Sequence, residues 1–154
     1  MRIESDGIVD GKILDKYGKR GSEMRFGMPT FSLPIKIIDA PAQAKSFALI
    51  MEDKDAIKVA GKVWIHWLVA NLHDTIIEEN SSSNFPPYIQ GNNSWRDNSY
   101  GGPTPPDCAH TYDITVYALT SDLNLRGGFD KNMLEQEMQD KVLSTSTIHG
   151  TYDA

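Results

Sequence analysis

The chain has 154 residues, enough for one domain with a sizeable core, and its 40% hydrophobic and 23% charged content is that of an ordinary globular protein. A formal net charge of −6 excludes a general nucleic-acid or anionic-membrane binder, whose footprint is basic, but leaves room for a local anion site. The single cysteine, Cys108, excludes an intrachain disulfide, and no apolar run reaches the ~20 residues of a membrane helix.

Residues 1–27 are polar and glycine-rich, with Asp6, Asp10 and Asp15 where a secretory leader would be apolar. Together with the lone thiol this leads to the expectation of a cytoplasmic protein without stable membrane insertion. Short strands fit Arg2–Ile3 and Ile8–Val9. Pro29 and Pro34 suit an edge strand or an extended entry into one, and Ile35–Ile38 reads as a short strand. After the turn Asp39-Ala40-Pro41, Ser46–Met51 is apolar without alternation, as in a strand buried on both faces. It stops at Glu52-Asp53-Lys54-Asp55, four charges that must reach a surface or a cleft.

Lys62–Asn71 is the most strand-like run in the chain, crowded with aromatic and β-branched residues. It carries His66 between two tryptophans, where Val or Ile would be cheaper. A period of two puts His66 on one face with Trp64 and Leu68. Residues 73–109 are irregular and rich in Pro, Gly and Ser, but Tyr88, Trp95 and Tyr100 predict a loop packed over the sheet rather than a linker. His110–Leu119 alternates, so His110 and Tyr112 share a face with Ile114 and Val116. One helix is predicted over Lys131–Leu143, capped by Asp130, with Leu134, Met138 and Val142 as its apolar stripe. Ser144–Ile148 is a last short strand and Gly150 ends that segment. Many strands, long loops and one clear helix make a mainly β fold, an antiparallel sandwich with a peripheral helix.

The expensive polar residues fall at strand ends: Asp53 and Asp55, His66, and His110 with Tyr112. In chain order, Ser46–Ala56 (SFALIMEDKDA), Trp64–Asn71 (WIHWLVAN), Gln90–Ser94 (QGNNS), Tyr100–Asp107 (YGGPTPPD), His110-Thr111-Tyr112 and Val116–Leu119 (VYAL) resemble the phosphatidylethanolamine-binding protein family, also called Raf-kinase-inhibitor-protein-like, in its bacterial branch. The resemblance implies a β-sandwich with a small anion pocket at one end of the sheet. On it, Asp53, His66, His110 and Tyr112 fall on the pocket residues, with Asp55 and the Gly102-Pro103 backbone beside them. It also implies a small anion or phosphorylated head group as ligand, a kinase or other protein as partner, and a homodimer as an assembly open to the chain. No cofactor is expected. Lys54, Ile57 and Thr111 depart from the commoner pattern, and Thr111 deletes an arginine's charge beside the pocket.

Two imidazoles and a phenol can donate hydrogen bonds to a phosphate oxygen, while Asp53 can hold a histidine tautomer or bind an ammonium group. Taken alone, His66 would be a core histidine and the two aspartates solvated turn residues. His73 and His149 read as surface groups, Cys108 as a passive thiol, and the three tryptophans as core or lid. The alternative is a metal-dependent enzyme with Asp53, His66 and His110 as a two-histidine, one-carboxylate set. The chain lacks the motifs of common hydrolases and nucleotide-binding enzymes. The expectation is therefore a ligand-binding or regulatory protein rather than a catalyst.

Overall fold

The β-branched and aromatic runs form strands, and the loops between them hold shorter ones. The structure, a computed structural model, describes residues Met1–Ala154. In chain order its elements are β1 (Arg2–Glu4), β2 (Ile8–Val9), β3 (Lys12–Ile13), β4 (Met24–Arg25), β5 (Met28–Pro29), β6 (Ile35–Ile38), β7 (Ser46–Asp53), α1 (Ile57–Ala60), β8 (Trp64–Leu72), β9 (Ile76–Ile77), β10 (Ile89–Gln90), β11 (His110–Leu119), α2 (Lys131–Met138) and β12 (Val142–Tyr152). The large sheet has the order β10-β8-β7-β11-β12-β3-β2, and a small sheet has the order β1-β6-β9. Pairing is antiparallel except where Thr151 of β12 meets Lys12 of β3. No helix is long and apolar enough to cross a membrane.

The core lies on both sides of the large sheet. Leu49, Met51, Val69, Ile114 and Val116 face the small sheet's Ile3, Ile35, Ile37 and Ile77. Ala48, Ile50, Leu68 and Ala70 face the other way, onto Leu134 and Met138 of α2 and Phe129. This explains why β7 shows no alternation: both of its faces are covered. The strand runs to Asp53, two residues past its apolar stretch, so the aspartate is held by the ladder opposite Tyr112.

Three expectations are corrected. Leu68 does not share a face with His66. In the β7–β8 ladder Glu52 pairs with Ile65 and Met51 with Trp67, which leaves His66 as the extra residue of a β-bulge. A bulge sets two residues against one and breaks the period of two. Trp67 therefore joins the inter-sheet core, and Leu68 packs toward α2. A second register shift falls near Asn71, whose φ is +54°.

The helix ends at Met138, not Leu143. Asp140 takes φ +63°, and Val142 and Leu143 open β12, whose Ser, Thr and Ile residues suit a strand better than a helix. The Asp130 cap is present: its carboxylate accepts from the Met133 N–H at 2.8 Å. Gly150 lies inside β12 rather than ending it. A Cβ there would stand 2.7 Å from the Ile13 side chain, so the close passage of β3 requires the glycine.

The long loop is packed down. Tyr100 is fully buried, and its hydroxyl donates to the Tyr17 carbonyl at 2.8 Å. Residues 94–101 dock along the start of β8. The Ile65 N–H donates to Ser94 Oγ at 2.8 Å and the Ser94 N–H to the Ile65 carbonyl at 2.9 Å.

Candidate functional site

Where β7, β8 and β11 end together, a cavity of about 200 Å³ opens among Asp53, His66, His110 and Tyr112. Trp64, Trp95, Thr104, Pro105 and Pro106 wall it, and Ala56, Val59 and Ala60 close the side nearest α1. Each polar residue is placed by ladder geometry. Tyr112 stands opposite Asp53 in the β7–β11 register. His110 is two residues earlier on the same face, and the bulge turns His66 inward to meet them. The His66 and Tyr112 rings are edge-on at 5.0 Å between centroids, and Trp95 packs edge-on to His66 at 5.3 Å.

The pKa values of the two histidines are shifted in opposite directions. His66 is 1% exposed, and its Nδ1 lies 2.6 Å from the Gly101 carbonyl oxygen. A carbonyl only accepts, so Nδ1 carries the proton and Nε2 is a bare acceptor. Burial pushes the His66 pKa down to about 4, against the pull of the Gly101 and Gly102 backbone, so the ring is neutral at ordinary pH. His66 Nε2 has no partner within the protein.

His110 lies between two carboxylates. Its Nδ1 is 2.7 Å from Asp53 Oδ2 and its Nε2 is 2.7 Å from Asp107 Oδ1. Burial alone would lower the His110 pKa, but the two carboxylates outweigh it and raise it, favouring the imidazolium. Burial raises the Asp53 carboxyl, with His110 opposing, while the hydrogen bond from His110 lowers Asp107. Asp53 Oδ1, like His66 Nε2, is buried without a partner. Burial raises the Tyr112 hydroxyl far above its usual value, so it stays protonated and able to donate.

The other expected residues stand behind this wall. Asp55 Oδ2 accepts the Thr111 N–H at 2.9 Å and thereby braces the start of β11. The Gly102 N–H is engaged by the Pro29 carbonyl at 2.9 Å, and the Pro103 carbonyl accepts from the Lys19 N–H at 2.9 Å. A Cβ on Gly102 would run into the Tyr17 carbonyl, so this glycine serves a close backbone approach. Neither Gly102 nor Pro103 lines the cavity, and Thr104, Pro105 and Pro106 take that place. His73 and His149 are exposed and pair with Asp122 and Asp113.

Sequence reasoning passed over Asp107 and Gly101. Asp107 could have been flagged by its place three residues before His110. Gly101 carried no signal, because its contact with His66 is long-range. No lysine or arginine lines the cavity. Asp53, His66 and His110 do not cluster as a metal ligand set, and both nitrogens of His110 are held by carboxylates. The ligand atoms that do lie within 4.8 Å of one another are those of Asp107, Cys108 and His110, two of these residues being exposed.

The phosphatidylethanolamine-binding protein family model matches residues 4–153. The chain is 42% identical over 150 residues to the uncharacterized protein YxkA of Bacillus subtilis, covering 87% of this chain and 89% of that one. It is 36% identical over 157 residues to a UPF0098 protein of Chlamydia muridarum, covering 99% of each. A solved structure from Chlamydia trachomatis, described as a homolog of phosphatidylethanolamine-binding protein, superposes with a TM-score of 0.87 at 32% identity, covering 99% of this chain and 97% of that one. Escherichia coli YbcL superposes with a TM-score of 0.84 at 22% identity, a likeness of fold alone.

Proposed function

This chain belongs to the phosphatidylethanolamine-binding protein family, and from that premise we propose that it is a non-catalytic, regulatory-type binding protein whose pocket takes a small oxyanion, either phosphate or a phosphorylated head group. The observation that carries this reading is that one cavity is lined by His66 and Asp53, whose Nε2 and Oδ1 are buried without partners, together with Tyr112. Burying a polar atom without a partner costs about 1–3 kcal/mol, and a ligand that supplies the partner recovers it. The two unpartnered atoms are acceptors and Tyr112 is a donor. The ligand that fits therefore both accepts and donates, as the monoanion of a phosphomonoester does.

The apolar walls of Trp64, Trp95 and Pro105 suit the carbon portion of a head group. Each imidazole is either weakened as a base by burial, as His66 is, or held by carboxylates, as His110 is, and the lone thiol is pushed up by Asp107. Both features support binding over turnover. The metal-enzyme alternative would need Asp107 to leave His110 Nε2, since Asp53 already holds Nδ1.

In this reading residues 1–154 act as one domain in the cytoplasm, and pocket occupancy is read by a kinase or other protein partner through the rim at Thr104–Asp107. The outer edge of β12 is paired only at Thr151, which leaves Val142–His149 open to a strand of a second copy and supports a homodimer. The test is a titration with inorganic phosphate and with a phosphomonoester. His66→Ala and His110→Ala should each abolish binding while the domain stays folded. Turnover of the ester that these substitutions remove would replace the reading with an enzymatic one.

A further inference from the structure

No lysine or arginine lines the cavity, and both nitrogens of the wall residue His110 are already engaged. Asp53, 3% exposed and held in β7, takes Nδ1. Asp107 takes Nε2 from outside the cavity lining: its side chain is 37% exposed, and it stands at the rim, directly after the wall residue Pro106. Thr111, the residue between His110 and Tyr112, supplies no positive charge to offset it. An oxyanion that seeks the His110 N–H therefore meets a carboxylate already there. Asp53 Oδ1 and His66 Nε2 are two further bare acceptors.

Resting on the oxyanion reading above, we propose that Asp107 is a specificity-determining residue, which admits oxyanions that bring a proton and rejects those that are fully ionised. A phosphate or phosphomonoester monoanion can donate its P–OH to the Asp107 carboxylate while its other oxygens accept from Tyr112 or His110. Sulfate carries no proton at neutral pH, so it would face that carboxylate with oxygen against oxygen and no hydrogen between them. A site built to receive a hydrogen bond rejects an analogue that lacks the donor, because its own polar groups are then left unpaired. Asp107 is suited to the role because it is exposed: it can adjust to the ligand without breaking the buried Asp53–His110 pair.

The test measures the affinity of the full chain for inorganic phosphate and for sulfate by calorimetry and by NMR titration near pH 6, in the wild type, Asp107→Asn and Asp107→Ala. Folding is checked by the unfolding midpoint. The wild type should prefer phosphate by about tenfold or more. Both substitutions should narrow that ratio by about tenfold, chiefly through a gain in sulfate affinity. If the wild type binds phosphate and the ratio is unchanged in both variants, this inference falls while the oxyanion reading stands. If none of the three proteins binds either anion, both fall.

Discussion

His66 and Gly101 are hydrogen-bonded to each other twice: the Gly101 N–H donates to the His66 carbonyl at 2.9 Å, and His66 Nδ1–H donates to the Gly101 carbonyl at 2.6 Å. The first bond satisfies a backbone group that the bulge takes out of the ladder. The second selects the imidazole tautomer. Together they turn a backbone irregularity into a pocket-wall residue whose Nε2 is left without a partner.

This arrangement has a pH signature. The His66 pKa is lowered from 6.5 to about 4 by burial. Between those values the unfolded chain takes up a proton that the folded chain refuses. Stability from this group is complete above pH 6.5 and is lost as the pH falls toward 4, by about 3 kcal/mol in all. Denaturant unfolding of the wild type and His66→Asn across pH 7 to 4 should show the gap between them narrowing by about that amount. Nitrogen NMR should show Nδ1 protonated and Nε2 bare at pH 7. A histidine that titrates near its ordinary value would contradict the assignment.

The buried pair has the opposite sign. The carboxylates raise the His110 pKa, so its contribution is full below the unfolded value and is lost as the pH rises through the folded one. Asp53→Asn removes the buried partner and should cost about 3 kcal/mol at pH 6, because the imidazole then loses its buried counter-charge and keeps only the half-exposed Asp107. The His110 titration should move down at the same time. An unchanged urea midpoint would mean that the pair carries no net stability.

Gly102 is held by backbone on both sides. Its N–H goes to Pro29, and the space where a Cβ would sit is filled by the Tyr17 carbonyl. Gly102→Ala should therefore lower stability by about 1–3 kcal/mol through crowding. Phosphate affinity of the folded fraction should stay near that of the wild type. A protein of normal stability that has lost phosphate binding would put Gly102 in the binding surface instead.

How much of this was legible in the sequence depends on the kind of signal. The face shared by His110 and Tyr112 could be read directly, because β11 alternates strictly from His110 to Ala118. The double burial of β7 was legible from its unbroken apolar run. The orientation of His66 relative to Leu68 was not. A bulge is a single extra residue, and the chain around it differs in no way that composition or period records. The end of α2 was misplaced because Val142 continues the helical stripe in sequence, while Asp140 breaks the helix by backbone conformation. Asp107 entered only as the last residue of the Tyr100–Asp107 run, with no role assigned to it. Its bond to His110 exists only because β11 starts where it does, next to the buried Asp53.

The most direct test of the oxyanion pocket is an NMR titration of the isotope-labelled wild type with a simple phosphomonoester between pH 5.5 and 8. The expected result is saturable movement of the His66, His110 and Tyr112 signals. Affinity should fall by about tenfold per pH unit once the ester loses its second proton, near pH ~6. Shifts confined to residues outside the cavity, or an affinity that rises as the ester becomes a dianion, would contradict a pocket built to receive a protonated oxyanion.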